Sequence, residues 1–372
     1  MASPDSFLPS VATDNGIERN QWLDALRGTA ISLVVIWHLM PPILNHYWPL
    51  GGRLVSSAWS GVDLFFVLSG FLIGGLLLRH RGSHSYFGTF YARRVLRIVP
   101  LYLVALLIFF NSGPEPFQPF YVLMIQNIVW AAQDKFCPSA FGMTWSLAVE
   151  EQFYLALPLL IAFCPARRLP LVLISCIVAA PLIRSLLHWQ GYPHAAYLLL
   201  PARMDALSLG VLIAWAQTTG RLATTPRWLI PATIASFVAM LIFTLARADL
   251  LGIIAGTIGY SIVDLFYACL LALIVAERPR FPPWLAPLRL LGLGAFSIYL
   301  FHTMLLDIGQ HWFGPHPLKI ITFIPAMGLV AWACWRWIEA PCIRYAHRHF
   351  RYAPQVTARC PQGEGVGPAP TA

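Results

Sequence analysis

Apolar stretches of about twenty residues recur along the whole chain, and this pattern constrains the fold more than any other feature. A stretch of that length is what an α-helix needs to cross a bilayer. Only 11% of the residues are charged, which is too few for a soluble domain. The sequence therefore predicts an all-α polytopic membrane protein with a bundle of about ten transmembrane helices. We place these at residues 23–44, 58–78, 95–110, 145–164, 169–187, 197–216, 228–246, 250–276, 288–308 and 318–338.

The basic residues predict the orientation of the chain in the membrane. If the N-terminus is cytosolic, 18 of the 25 Lys and Arg residues fall on cytosolic segments and 5 on external ones. The remaining two, Arg27 and Arg203, lie inside predicted helices. Such an excess is the positive-inside pattern. We therefore expect both termini in the cytosol and a multi-pass protein of the plasma (cytoplasmic or inner) membrane, and we attribute the net charge of +9 to topology rather than to nucleic-acid binding.

The remaining segments set the predicted domain organisation. Residues 117–132 are apolar but short, and a crossing there would move the later basic loops outside, so we interpret them as an interfacial or re-entrant part of an external loop. We assign residues 1–21 to a cytosolic N-terminal segment and 22–341 to the membrane domain. Residues 342–372 form a basic and then, from their Pro, Gly and Gln content, disordered tail. The seven cysteines show neither a CxxC pair nor metal-ligand spacing, so we infer no disulfide and no metal site.

The first predicted helix carries three ionisable residues, which are costly at membrane depth. Arg27 and His38 are three helical turns apart and share a face, with about 16 Å between them along the axis. Asp24 precedes Arg27 by one turn, so an ion pair between them is expected. One interpretation is an interfacial salt bridge together with a histidine satisfied by a neighbouring helix. The other is a functional site, because ionisable residues inside the membrane usually mark one.

Three further helices bring ionisable groups to the same predicted depth as His38. Two adjacent carboxylates lie about two turns inside the fourth helix, and at most one of them faces a given cavity squarely, because successive residues point about 100° apart. A glutamate that only locks two helices through an arginine is the alternative. The convergence of several helices predicts a water-accessible cavity for chemistry or transport. Its members are Glu150 beside Glu151, Arg203, Asp205 and His302.

A second candidate site is the cationic segment 79–97 at the predicted cytosolic face. Arg93, Arg94 and Arg97 lie at the start of the third helix, and Arg27 lies at the same level. Guanidinium groups bind phosphates through paired hydrogen bonds, so a phosphate clamp is one interpretation and plain membrane topology is the other. Asp63, near the outer end of the second helix, is either an interfacial residue or part of the cavity.

The order of these motifs resembles the acyltransferase-3 family of integral membrane O-acyltransferases. LDALRG…WH, with Arg27 and His38 eleven residues apart, resembles the signature of that family's first helix. GVDLFFVLSGFLI, FYARRVLRIVPLY, WSLAVEEQFYL, RMDALSLG, SIYLFH and WIEAP follow in the expected order. The resemblance covers residues 22–341, and the absence of an SGNH-type domain resembles the stand-alone members.

The resemblance implies transfer of an acyl group from cytosolic acyl-CoA to a hydroxyl, often on a sugar. We expect acetyl, which the small residues of the helices suit, and an extracytoplasmic or lipid-linked glycan as acceptor; succinyl or a longer acyl group stays open. It implies His38 as the essential base, and Glu150 would orient it. No permanently bound cofactor is expected; the acyl-CoA donor would bind through Arg27, Arg93, Arg94 and Arg97. Substrate or oxyanion contacts are assigned to Asp63, Glu151, Tyr154, Arg203, Asp205 and His302.

Two functions of other classes remain open at this stage. A transporter or flippase for acyl groups or lipid-linked sugars would also place polar residues along a path, but it leaves the cytosolic arginines without a role. A structural scaffold leaves the shared depth of the polar residues unexplained. Loss of acyl transfer on replacing His38 would discriminate the enzyme from both.

Overall fold

The computed structural model describes residues 20–48, 51, 55–111, 118–136, 141–245, 251–313 and 318–353. These residues form helices, turns and loops, with no β-strand among them. The α-helices, in chain order, are α1 (Gln21–Tyr47), α2 (Gly61–Arg79), α3 (Tyr86–Asn111), α4 (Gln118–Val122), α5 (Gln126–Ala132), α6 (Trp145–Phe163), α7 (Leu169–Trp189), α8 (Pro193–Leu198), α9 (Leu200–Thr218), α10 (Leu229–Leu245), α11 (Tyr260–Glu277), α12 (Ala286–Leu293), α13 (Ala295–Phe313), α14 (Leu318–Cys334) and α15 (Ala340–His349).

The predicted all-α polytopic membrane fold is confirmed. Within the described part of the chain, eight helical segments are long and apolar enough to cross a membrane. The count rises to nine if the pair Pro283–Leu293 and Ala295–Phe313, bent by 71°, forms one span. A helix occurs at each of the ten predicted positions, but α10 belongs to the shorter apolar helices.

Helix α3 begins earlier than the sequence predicted. We expected the span to start at residue 95, after a basic loop, yet the helix starts at Tyr86 and places all three arginines on its first turns. The physical reason is that Gly82, whose φ of 86° lies in the left-handed region, sets a tight turn just before Tyr86, and the helix then continues through both Gly88 and Pro100. The loop between α2 and α3 is therefore short, and the arginines are held on a rigid helix.

Residues 117–132 do not cross the membrane as one helix. Their described part forms the short helices α4 and α5, separated by a turn in which Met124 has a positive φ of 53°. Neither helix approaches the length of a span, which agrees with the interfacial or re-entrant interpretation.

The C-terminal boundary predicted after Pro341 falls inside a helix. A π-helical turn, Trp335–Glu339, joins α14 to α15, so the helix continues to His349. The next residues return to the start of α3, where the Arg93 guanidinium donates to the carbonyl of Phe350 at 2.7 Å. Residues 342–353 thus belong to the folded body, whereas the expected disordered tail beyond 353 and the N-terminal segment before Asn20 lie outside the described residues.

Helices α2 and α9 approach so closely that only glycine fits at their crossing. A Cβ atom on Gly70 would lie 2.0 Å from the carbonyl oxygen of Leu207, and one on Gly210 would lie 2.1 Å from that of Val67. Small residues at such crossings let helix backbones pack directly in a membrane. The GxxxG step that starts at Gly70 therefore serves packing.

A fully buried charge cluster ties four helical elements together. Arg184 of α7 donates to Asp205 (2.9 Å) and Ala202 of α9 (2.5 Å), and to the carbonyl of Gly256 (2.5 Å) and the hydroxyl of Ser261 (2.6 Å) near α11. Buried charges are tolerated when paired and hydrogen-bonded. This arrangement fixes α7, α9 and α11 relative to one another.

The cluster extends to α2 through a second ion pair. Arg203 pairs with Asp63, and the Asp264 carboxyl lies within electrostatic range of both. All three side chains are buried, and the Asp264 carboxyl lies within hydrogen-bonding reach of Asp63. With Asp205 and Arg184, the described cluster holds three carboxyl groups against two guanidinium groups.

Replacing Gly70 by alanine tests the close crossing. We expect Gly70→Ala to lower the free energy of unfolding by about 1–3 kcal/mol. The new methyl group would overlap the backbone carbonyl of Leu207, which cannot move without distorting helix α9. Gly88→Ala is the matched control, since nothing lies within 4 Å of a Cβ there. Thermal unfolding in detergent measures both, and equal midpoints would contradict the close approach.

The charge cluster yields a second stability prediction. Asp205→Asn leaves Arg184 without its paired carboxylate in a buried site, so we expect a loss of about 3–5 kcal/mol. Asp264→Asn replaces the surplus carboxyl by a neutral group of the same shape, and we expect a change of less than about 1 kcal/mol. Unfolding in detergent compares the two. Equal destabilisation would show that the cluster does not balance its charges in this way.

Candidate active site

The larger of the two cavities described here is strongly cationic. It encloses about 1660 Å³ and is called the basic cavity here. Its described lining contains six arginines against two glutamates, Glu150 and Glu339. The arginines are Arg27, Arg79, Arg93, Arg94, Arg97 and Arg278. A cavity with this excess of positive charge attracts anions.

The predicted phosphate-binding arginines are brought together in the basic cavity. Arg27 forms the expected ion pair with Asp24 at 3.4 Å, and Arg97 lies within electrostatic range of Arg27 and Arg94. Like charges placed so closely repel one another. An anion between them would relieve that repulsion. The fourth member, Arg93, is engaged with the C-terminal segment through Phe350.

Glu150 and Tyr154 also line the basic cavity, one turn apart on α6. The Tyr154 hydroxyl donates to Glu150 at 3.2 Å and also meets the hydroxyl of Ser69 on α2. Arg94 lies over the Tyr154 ring, with its central carbon 4.3 Å from the ring centroid. Glu151 points away and lines neither described cavity, as expected for adjacent residues on one helix.

The smaller cavity is lined mainly by aromatic side chains and is called the aromatic cavity here. It encloses about 500 Å³, within the range of small-ligand sites. His38 lines it together with Thr303 and Asp307. The aromatic members of its lining are Trp37, Trp59, Trp145, Tyr197, Tyr299 and Phe136.

A hydrogen bond to the backbone of its own helix fixes the tautomer of His38. Its Nδ1 lies 2.8 Å from the carbonyl oxygen of Val34. A carbonyl only accepts, so Nδ1 carries the hydrogen and the neutral ring presents the Nε2 lone pair. The ring is half-buried and lines the aromatic cavity. This is the state that a general base requires.

The ring of His302 packs directly against the ring of His38. The two ring centroids are 4.9 Å apart in an edge-to-face arrangement. His302 is fully buried, and its Nδ1 lies 2.8 Å from the carbonyl of Tyr299, so this nitrogen donates to the backbone. Among the described residues His302 lines neither cavity, and its ring contacts the ring of His38 in this geometry.

The predicted contact between Glu150 and His38 is absent among the described hydrogen bonds. The position that a triad carboxylate would take, at His38 Nδ1, belongs to the Val34 carbonyl. Glu150 instead lines the other cavity and bonds to Tyr154. The reason is local: the backbone carbonyl four residues earlier on α1 reaches Nδ1 without any second helix.

Three other residues predicted to contact the substrate belong to the buried charge cluster instead. Asp63, Arg203 and Asp205 have their charges paired there, and none of them is in the described lining of either cavity. Arg203 is further covered by the ring of Tyr260, 4.4 Å from its central carbon. The five ionisable residues expected at one membrane depth therefore lie in three separate places. These are the His38–His302 pair, Glu150 beside Tyr154, and the buried charge cluster.

Sequence reasoning missed several residues that shape the site. The aromatic residues Trp59, Trp145 and Tyr197 looked like ordinary membrane-helix residues, and only tertiary packing brings their rings to one cavity. Arg184 and Asp264, in contrast, carried a visible signal. Both are ionisable residues inside predicted spans, a pattern that marks buried partners.

The described part of the chain offers no evident place for a metal ion. No group of three or more His, Cys, Asp or Glu side chains there is arranged to hold one. The five cysteines in this part are free thiols, Cys164, Cys176, Cys269, Cys334 and Cys342.

Comparison with known proteins identifies the family. Residues 20–336 match the family model described as an acyltransferase domain (Acyl_transf_3). The O-acetyltransferase OatA of Staphylococcus aureus is 27% identical over 368 residues, which cover 90% of this chain and 58% of that protein. The peptidoglycan O-acetyltransferase OatA of Listeria monocytogenes is 28% identical over 363 residues, covering 86% and 55%.

The chain thus spans less than two thirds of the length of these curated relatives. No solved structure matches it. The family model nevertheless covers most of the sequence, including every residue of the basic and aromatic cavities up to Trp335. The chain belongs to the acyltransferase-3 family of membrane proteins.

Proposed function

We propose that this protein is a membrane O-acetyltransferase that moves an acetyl group from acyl-CoA to a hydroxyl of a glycan on the other side of the membrane. One observation carries the proposal. A cavity lined by arginines adjoins a cavity that presents a histidine base, and both are built partly on helix α1. Arg27 and His38 thus give one helix an anion-binding end and a reactive end.

The basic cavity suits the donor. Coenzyme A carries several phosphates on a nucleotide and a long, thin pantetheine arm that ends in the thioester. Guanidinium groups bind phosphate oxygens through charge-assisted hydrogen bonds, and Arg27, Arg94 and Arg97 supply three of them. The distance from Arg27 to His38 along α1, about 16 Å, is one that such an arm spans.

The reaction follows from the arrangement of His38. The acceptor hydroxyl attacks the thioester carbon while its proton passes to His38 Nε2. The carbon–sulfur bond then breaks, and the CoA sulfur leaves with the proton returned by His38. The Val34 carbonyl, bonded to Nδ1, stabilises the positive charge that the imidazole carries between these steps. It takes the orienting role that a carboxylate has in a catalytic triad.

The aromatic cavity suits a sugar acceptor. Sugar rings present flat faces of C–H groups that pack on aromatic rings, while their hydroxyls need a few polar partners. Trp59, Trp145 and Tyr197 supply rings, and Thr303 and Asp307 supply polar groups. Relatives named as O-acetyltransferases, one of them for peptidoglycan, support a cell-envelope glycan or its lipid-linked precursor.

The orientation follows from charge. The positive-inside distribution of Lys and Arg supports an orientation with the arginine end of α1, and with it both termini, in the cytosol, where acyl-CoA is available. The aromatic cavity then faces the extracytoplasmic side of the plasma or inner membrane. A transporter or flippase would use the same two cavities as a path, but it gives no role to the fixed tautomer of His38.

Replacing the base provides the central test. Purified protein in liposomes, given acetyl-CoA and an extracytoplasmic glycan extract, should release CoA thiol and form acetylated glycan. We expect His38→Gln to lower the rate by about 10²–10⁴-fold, the usual contribution of a general base. His311→Gln, at an exposed position that lines neither cavity, should keep wild-type activity. Equal rates for His38→Gln and wild type would refute this mechanism.

The donor site yields a separate prediction. Arg94→Ala removes a charge-assisted contact to phosphate, so we expect the KM for acetyl-CoA to rise about tenfold with a smaller change in kcat. Arg94→Lys should recover part of the affinity. Arg167→Ala, an exposed arginine outside both cavities, is the control. A fall in kcat at unchanged KM would place Arg94 in the chemistry rather than in donor binding.

A further inference from the structure

The basic and aromatic cavities share two lining residues, Val62 of α2 and Tyr299 of α13. These two residues form the partition between the cavities. The ring of Phe65, one turn from Val62, packs edge-on against Tyr299 with 6.3 Å between centroids. Any group that travels from one cavity to the other has to pass this partition.

Tyr299 is held at the partition by hydrogen bonds to Met143 and Ser146, which lie just before α6 and at its start. Its hydroxyl donates to the carbonyl of Met143, and the Ser146 hydroxyl lies 2.5 Å from the same oxygen. The Tyr299 hydroxyl, the Ser146 hydroxyl and the Met143 carbonyl therefore form one hydrogen-bonded group, in which the carbonyl accepts. Met143 lines the aromatic cavity and Ser146 the basic one, so the hydroxyl is fastened at the boundary itself.

We propose that Tyr299 closes the passage between the two cavities and restricts the transferred group to a short acyl chain. The inference rests on the proposed function and names the donor class: acetyl or a comparably short acyl thioester. The thioester carbon must reach His38 in the aromatic cavity, while the nucleotide end stays with the arginines. The phenol ring fixed at Met143 and Ser146 forms one wall of the opening, and an acyl chain beyond it shares about 500 Å³ with the acceptor.

The hydrogen bonds of Tyr299 also have a chemical consequence. When the partition opens without an acceptor present, water takes the place of the sugar hydroxyl. Its oxygen attacks the thioester carbon, its proton passes to His38, and the carbon–sulfur bond breaks to give a carboxylic acid and CoA thiol. A Tyr299 ring that stays in place separates the donor from the water in the aromatic cavity until the acceptor has displaced that water.

Buried tyrosines also serve as plain packing residues, and the chain offers a matched control for that role. Tyr267 is buried to a similar extent, and its hydroxyl is hydrogen-bonded to Ser60 at 2.8 Å. It lines neither cavity among the described residues. Effects common to Tyr299 and Tyr267 variants report folding, and effects confined to Tyr299 report the passage.

The experiment compares acetyl-CoA with octanoyl-CoA as donors in liposomes. For Tyr299→Ala we expect the ratio of octanoyl to acetyl transfer to rise by about tenfold or more, at least the discrimination that a single methylene group provides in an apolar pocket. Tyr267→Ala should leave the ratio at the wild-type value. An unchanged ratio in folded Tyr299→Ala would overturn the assignment.

A milder variant keeps the test decisive if Tyr299→Ala fails to fold. Tyr299→Phe retains the ring but removes the bonds to Met143 and Ser146. We expect CoA release in the absence of acceptor to rise relative to wild type, with Tyr267→Phe unchanged. Equal acceptor-free release in Tyr299→Phe and Tyr267→Phe would show that the hydroxyl does not hold the passage closed.

A labelling measurement separates this inference from the proposed function, because it needs no enzymatic activity. Thr303→Cys, in a background with the seven native cysteines replaced, is treated with a membrane-impermeant anionic methanethiosulfonate in right-side-out and inverted vesicles. With Tyr299 present we expect labelling from one face, and with Tyr299→Ala from both. If wild type transfers no acetyl group, the proposed function fails. If the labelling sidedness is the same in both backgrounds, the barrier role of Tyr299 fails.

Discussion

The buried guanidinium of Arg184 is the interaction on which the rest of the structure depends. It has no exposure to solvent, and its hydrogen bonds reach two neighbouring elements while Asp205 balances its charge. In a membrane, apolar side chains gain little by leaving lipid for the protein interior, so specific polar contacts and close backbone packing fix helix positions. The cluster, extended through Arg203 to Asp63, sets α2, α7, α9 and α11 as a frame. The remaining helices then enclose the two cavities against it.

Helix α1 converts this frame into a site with two ends. Eleven residues separate Arg27 from His38, which brings both to one face of the helix and places them in different cavities. An anionic donor and a neutral acceptor need opposite surroundings: many cations for the first, and rings with few charges for the second. One rigid helix provides both at a fixed separation, while α6 and α13 contribute Glu150 and Tyr299 at the corresponding levels. The separation itself is thus part of the proposed mechanism.

The sequence predicted the features that follow from composition and helical periodicity. The apolar stretches predicted the polytopic fold, and the spacing of Asp24, Arg27 and His38 predicted an ion pair and a shared helix face, both of which the structure has. Pairings between helices were not accessible in this way. Arg203 and Asp205 looked like cavity residues because a sequence shows that a charge is buried but not which partner it meets. Tyr299 was overlooked because its importance comes from the meeting of α2, α6 and α13.

The replacement of a carboxylate by the Val34 carbonyl as the partner of His38 has a consequence for the energetics of the site. A carboxylate beside the ring would hold a full negative charge in an aromatic cavity that lacks compensating cations, at a high cost of desolvation. A helix carbonyl carries only a partial charge, is already in place, and needs no second helix to position it. The described arginines of the site line the basic cavity, where donor phosphates would neutralise them, and Asp307 at the aromatic cavity is exposed. In the proposed mechanism, the attacking hydroxyl then meets His38 among aromatic side chains.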